Sequence, residues 1–188
     1  MEIILGIVVA AVVGLAALLL VGLYNRLVRQ RNRVEAAWSQ IDVQLRRRYD
    51  LIPNLVETVR GYASHEREAL EAVTKARQVA IDTRGVEAQA RAENMLTQTL
   101  RSLFAVAEAY PDLKASQNFL SLQEELSGTE GRIAFARQFY NDQVLHYDNS
   151  LESFPTNVVA GLFHFEPRAY FETEAEARAT PRVDFAAR

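Results

Sequence analysis

The chain has 188 residues, no cysteine, and 21 basic against 24 acidic side chains, for a formal net charge of −3. The lack of cysteine excludes disulfide staples, thiolate nucleophiles and cysteine-ligated metals, and the near balance of charge disfavours a uniformly basic nucleic-acid-binding face. With 49% hydrophobic residues, the chain has enough apolar surface for one membrane span and one packed soluble domain.

From Ile3 to Leu23 the sequence IILGIVVAAVVGLAALLLVGL runs 21 residues without a charge. At about 1.5 Å of rise per residue it covers a hydrocarbon core of roughly 30 Å, so residues 1–23 are expected to form an amino-terminal transmembrane anchor. The alternative is a cleaved secretory signal. That would need a basic leader, a shorter apolar stretch and a small-residue cleavage site, whereas only Met1 and Glu2 precede this segment and Tyr24 comes directly after it. Within the span, Gly6, Ala10 and Gly14 fall four apart on one ridge, where small side chains let a second helix approach closely. The competing explanation is chance, since glycine and alanine are frequent in any membrane helix. Arg26, Arg29, Arg31 and Arg33 come just after the span, a bias that puts the amino terminus outside and the rest of the chain in the cytoplasm. Arg26 and Arg29 are the candidates to meet anionic lipid heads.

Residues 24–154 read as a helical bundle domain. Val34, Trp38, Ile41 and Leu45 recur at alternating spacings of four and three, the seam of a helix packed at a shallow angle. A second seam runs through Leu55, Val59, Tyr62, Ala69, Val73, Ala76 and Ala80, with Asp50 as its cap, Pro53 in its first turn and Gly85 as its stop. A third uses Leu96, Leu100, Leu103, Ala107 and Tyr110, closed by Pro111, with Asp112 capping the next helix. The fourth runs from Phe119 through Leu126, Ile133, Tyr140, Val144 and Tyr147 to Phe154 and Pro155. Its register carries across Gly128 and Gly131, favouring one unbroken helix over a restart at the capping box of Ser127 and Glu130.

The same spacing also links Ile41, Leu45, Ile52, Leu55 and Val59, so Pro53 either breaks the chain into four helices or only kinks one of three. A break is favoured. The expected fold is therefore all-α, an amino-terminal transmembrane helix followed by an antiparallel up-and-down four-helix bundle of long helices with coiled-coil-like seams. Helices that alternate in direction return the end of the fourth to the membrane. Residues 155–172 then form an aromatic-rich membrane-proximal segment, with Phe163 and Phe165 as candidates for the interface. Closure of the bundle core by Phe154, Phe163, Phe165 and Phe171 is the competing expectation. Residues 173–188 read as a flexible tail.

The sequence offers little chemistry. His65-Glu66 begins a zinc-protease helix motif, but Ala69 stands where the second histidine is needed. A di-iron bundle needs glutamate three residues before histidine, and those positions hold Tyr62, Gln143 and Gly161. There is no phosphate-binding glycine loop and no nucleophile elbow. Arg46-Arg47-Arg48 reads as a cationic helix end that complements the backbone dipole rather than as an anion site. No catalytic, cofactor-binding or metal-binding residues are expected, and the chain is not expected to be an enzyme.

The stretch YNRLVRQRNRVEAAWSQIDVQLRRRYDLIPNLVETVRGY, from Tyr24 to Tyr62, resembles the signature segment of the LemA family. The likeness continues through LQEELSGTEGRIAFARQFYNDQV and FPTNVVAGLFHFEPRAYFE and ends at Glu172. It implies a bacterial inner-membrane protein whose soluble part is an antiparallel four-helix bundle, and it supports a break at Pro53. It implies no enzymatic activity and no set of catalytic residues, although some relatives take part in magnetosome formation. The expected role is a membrane-anchored scaffold or adaptor whose partners are the lipid bilayer, copies of itself or another membrane protein, and not nucleic acid. Two other roles stay open: an accessory or regulator of a membrane protease or other envelope-stress component, and an oligomeric membrane-organising protein.

Overall fold

The structure is a computed structural model and describes residues 1–172; the segment read as a flexible tail, 173–188, lies outside the described residues. Among the described residues every regular element is a helix. They are α1 (Glu2–Tyr62), α2 (Arg67–Asp82), α3 (Val86–Ala107), α4 (Pro111–Ala115), α5 (Gln117–Glu152) and α6 (Thr156–Leu162). The described chain divides into two compact units, one of Met1–Gln40 with Gln138–Arg168 and the other of Ile41–Arg137 with residues 169–172.

In the first unit, the apolar residues of α1 from Ile3 to Val21 are exposed. The first fully buried side chain along α1 is Leu27, with Val34 and Ala37 next. Tyr140, Val144 and Tyr147 of α5 are buried at the spacing the fourth seam predicts, and α5 runs unbroken through Gly128 and Gly131. Phe154, placed at the end of that seam, is instead 82% exposed, because α5 ends at Glu152 and the chain turns before α6 begins.

In the second unit, Ile41, Leu45, Ile52, Leu55 and Val59 of α1 form a core with Leu70, Val73 and Ala76 of α2, Leu96, Leu100 and Leu103 of α3, and Leu126 and Ile133 of α5. Gly85, between α2 and α3, has φ +88°, a conformation that side chains with a Cβ rarely adopt and that lets the chain reverse. Pro111 occupies the first turn of α4, so Asp112 lies inside that helix rather than capping it.

The expected break at Pro53 does not occur. α1 passes through Pro53 and ends at Tyr62, and the reversal into α2 falls at residues 63–66. Asp50 is therefore an interior residue of α1, and the second seam is divided between two helices. Proline has no N–H to give to the carbonyl four residues earlier, which here belongs to Tyr49. That carbonyl accepts a hydrogen bond from Arg77 Nε of α2 at 2.7 Å. A side chain from the neighbouring helix thus replaces the backbone donor that Pro53 lacks, which removes the main penalty for continuing the helix.

Continuity of α1 also changes the reading of the arginine run, since Arg48 stands well inside the helix and cannot be a terminal cation. It falls on the apolar seam between Leu45 and Ile52 and is only 2% exposed. Its Nη1 lies 3.3 Å from Glu93 Oε2 of α3 and 3.2 Å from Glu130 Oε2 of α5, and its Nη2 donates to Thr97 Oγ1 at 2.7 Å. The other Glu93 oxygen accepts from the Tyr49 hydroxyl and, at 2.9 Å, from Gln89 Nε2. Gln89 Nε2 also lies 3.0 Å from the Ala80 carbonyl of α2. Burial pushes the Glu93 carboxyl above the usual glutamate range, opposed by its hydrogen bonds from Tyr49 and Gln89 and by the Arg48 charge. Burial, together with the charge and hydrogen bonding of Glu93, raises the Tyr49 hydroxyl, which therefore remains a donor. Arg46 and Arg47 stay exposed, paired with Asp42 and Glu125.

These contacts set two expected outcomes. Arg77→Ala should lower stability by about 1–2 kcal/mol through loss of a donor to the Tyr49 carbonyl. In a Pro53→Ala background, where the backbone N–H returns, the same change should cost less than half as much; equal costs in a denaturation double-mutant cycle would show that Arg77 does not substitute for the missing backbone bond. Arg48→Met should cost about 3–5 kcal/mol because it strands a buried carboxylate, and adding Glu93→Gln should restore much of the loss. Stability should fall as pH rises from the ordinary glutamate value of 4.5 toward the raised one, in the wild type and in Arg48→Met alike, because the fold retains a proton that the unfolded chain has released. In Arg48→Met the fall should continue to higher pH, since the Arg48 charge that opposes the rise is gone, and urea titrations at stepped pH measure both slopes.

Candidate functional site

The span, ridge and interface candidates read from the sequence all lie in the first unit, where the chemistry changes abruptly along α1. The glycine ridge of Gly6, Ala10 and Gly14 is exposed, and a Cβ built on either glycine meets nothing within 4 Å. Ile3 is exposed and Leu23, the last residue of the apolar stretch, is half-buried.

One residue beyond Leu23, Tyr24 anchors an aromatic group. Its ring lies 4.8 Å from that of Phe163 and 5.6 Å from that of Phe165, both tilted as aromatic quadrupoles favour. Arg31, two turns further along α1, places its guanidinium 5.7 Å from the Phe165 ring centroid. Phe163 and Phe165, selected from sequence, thus meet α1 where its exposed apolar stretch ends. Tyr24 and Arg31 complete the group, and their spacing of seven, which puts them on one face of α1, is the sequence signal that could have identified them.

The local fold holds this group in place. Thr156, Val159 and Ala160 of α6 are buried, whereas Val158, Leu162 and Phe163 are 58%, 64% and 51% exposed, so α6 carries apolar side chains on its outward face as well. The helix closes with the Phe165 N–H bonded to the Ala160 carbonyl, and His164 takes a left-handed φ of 55° where glycine is usual. This turn sends Phe165 back toward Tyr24. Beyond it, the Arg168 backbone N–H donates to Asp148 Oδ1 at 3.2 Å and its guanidinium reaches Glu35 at 3.3 Å, tying the segment to α5 and α1. Burial raises the Asp148 carboxyl above its ordinary value against the pull of that backbone hydrogen bond. Phe171 belongs to the second unit, where it is 1% exposed and lies 5.8 Å from the Arg137 guanidinium. The carboxyl-terminal aromatics therefore divide, with Phe171 in a core and Phe154 and Phe163 outward.

Between α1, α5 and the start of α6 lies a cavity of about 550 Å³. α1 contributes Leu23, Arg26, Gln30 and Arg33, a stripe at spacings of three, four and three that defines a single helix face. α5 contributes Gln143, His146 and Ser150, and Ser153, one residue past its end, continues the same spacings. Of the two arginines chosen from sequence, Arg26 lines this cavity and Arg29 does not. Gln30, Ser150 and His146 were not singled out for this role, because their grouping depends on how two distant parts of the chain pack.

The LemA family profile matches residues 37–185. The match therefore extends past Glu172, where the likeness read from the sequence ended. Among curated proteins, Protein LemA of Metamycoplasma hominis is 29% identical over 92% of this chain and 77% of its own length. Magnetosome protein MamQ 2 of Paramagnetospirillum magneticum is 27% identical, covering 93% of this chain and 73% of its own, and Magnetosome protein MamQ of Magnetospirillum gryphiswaldense is 23% identical, covering 85% and 68%. A profile match across most of the chain, together with relatives aligned over nearly its full length, identifies the protein as a member of the LemA family.

Proposed function

We propose that this protein is a membrane-anchored, non-catalytic scaffold or adaptor of the LemA type. The observation that carries this reading is the uncharged stretch Ile3–Leu23, exposed as far as Gly22, which continues without interruption into a helix whose next turns carry buried side chains. Placed across a bacterial inner membrane, Tyr24, Phe163 and Phe165 occupy the interfacial level favoured by aromatic side chains. The outward Val158 and Leu162 of α6 suit contact with the acyl boundary. Arg26, Arg29, Arg31 and Arg33 favour a cytoplasmic location for everything after the span. The soluble part is then an antiparallel bundle of four long helices, made from α1 after the span, α2, α3 and α5, whose exposed faces recruit another membrane protein or further copies of the chain.

A second reading, an oligomeric membrane organiser, is favoured by the open glycine ridge and by the relatives named as magnetosome proteins. Close packing of two spans through Gly6, Ala10 and Gly14 would supply its contacts.

In-cell crosslinking of the full chain separates these roles. Capture of one stoichiometric membrane partner through the helices after the span supports an adaptor, and its loss of activity when the chain is deleted would make the protein an accessory of that partner. Self-crosslinks alone support the organiser. Gly14→Leu introduces no clash within one copy, so a fall in oligomer size would locate the contact on the ridge, and unchanged size would exclude it. The anchor itself predicts that the full chain resists alkaline carbonate extraction and that removal of residues 3–23 releases it.

A further inference from the structure

The cavity at the end of the apolar stretch has the chemistry of an anion site. Arg26 and Arg33 line it, together with His146, and among the described residues no aspartate or glutamate does. Among the described residues neither arginine has an acidic partner within 4 Å, unlike Arg46, Arg47, Arg48 and Arg168. A pair of unneutralised guanidiniums on one wall suits a phosphate, which accepts from both at once.

Gln30 adds a second requirement. Its Nε2 donates to Ser150 Oγ at 2.8 Å, while the Ser150 hydroxyl hydrogen is committed to the His146 carbonyl at 3.0 Å. Ser150 can then only accept from Gln30, which fixes the orientation of the amide. The other amide atom, Gln30 Oε1, is buried and has no hydrogen-bond partner among the described residues. Such an acceptor calls for a donor from a bound group. A ligand that matches the cavity therefore has an anionic phosphate next to hydroxyl donors. Leu23, the last residue of the apolar stretch, is on the same wall, so an acyl chain attached to that phosphate can run along the exposed face of α1.

We propose that this cavity binds the headgroup of an anionic phospholipid of the phosphatidylglycerol type, with Arg26 and Arg33 on the phosphate and Gln30 Oε1 on a headgroup hydroxyl. The inference rests on the membrane-anchor reading. Bound in this way, a lipid fills the groove between α1, α5 and α6 and links the chain to lipid composition as well as to the bilayer.

The test is native mass spectrometry of the full chain, released from detergent with equal amounts of phosphatidylglycerol and phosphatidylcholine of matched acyl chains. The wild type should retain the glycerol lipid about tenfold over choline lipid, and Arg33→Gln should remove about that factor, the size of one charge-assisted hydrogen bond. Arg29→Gln, which changes the same charge outside the cavity, should alter retention less than about twofold. Gln30→Leu should reduce the preference for phosphatidylglycerol over phosphatidic acid, which has the phosphate without the glycerol head. Equal loss in Arg29→Gln and Arg33→Gln would overturn the proposal in favour of general charge attraction, as would an absence of headgroup preference in the wild type. Inorganic phosphate that displaced the lipid at equal concentration would also overturn it, assigning the cavity to the free anion. Carbonate extraction of the same proteins reports separately on the anchor: a wild type that is extracted defeats the anchor reading, whereas retained wild type and Arg33→Gln with no lipid preference defeat only the cavity assignment.

Discussion

The unbroken backbone of α1 across Pro53 is the constraint on which the rest of the molecule depends. A proline inside a helix removes one hydrogen bond and crowds the carbonyl a turn earlier, and isolated helices usually bend or stop there. Here the Tyr49 carbonyl is taken up by Arg77 from α2. The helix is thus completed by tertiary contact, and the point at which the chain reverses moves from Pro53 to the turn before Arg67. Everything downstream, including the start of α2 and the residues it can present to the core, depends on that shift.

Continuity also determines the fate of charge. Because α1 does not end near Arg48, that side chain enters the core, where an unpaired guanidinium is not tolerated. The carboxylate of Glu93 and the hydroxyl of Thr97 meet this demand, along with Glu130 from α5, and the Tyr49 hydroxyl donates to Glu93 in turn. The cluster draws on three helices at once. Its internal pairing is geometrically specific, so it favours one mutual register of α1, α3 and α5 over others that would satisfy the apolar seams equally well.

The first unit obeys a different rule. Its apolar stretch has no protein covering, and the aromatic group of Tyr24, Phe163 and Phe165 sits where that stretch ends and packed helix begins. On α6, apolar side chains face both inward and outward. Such two-sided apolarity in so short a helix is costly in water and favourable beside a bilayer, which is the physical basis for the proposal that this unit meets a membrane surface.

The sequence by itself determined the all-helical class, the uncharged stretch from Ile3 to Leu23 and the core positions of α3 and α5, because these depend on local composition and on a period of 3.6 residues, and its likeness to known sequences determined the family. It also contained the signal for the buried cluster, since Arg48 interrupts one apolar seam between Leu45 and Ile52 and Glu93 interrupts another before Leu96. Reading that signal required knowing that α1 continues, and the local preference of proline argued the opposite. Only the tertiary structure decided that Pro53 is bridged, that Phe171 is buried while Phe154 is exposed, and that Arg26 and Arg33 share a cavity with Ser150. Each of these outcomes depends on a partner more than 20 residues away in the chain, and helical periodicity specifies which face a residue occupies but not what that face will meet.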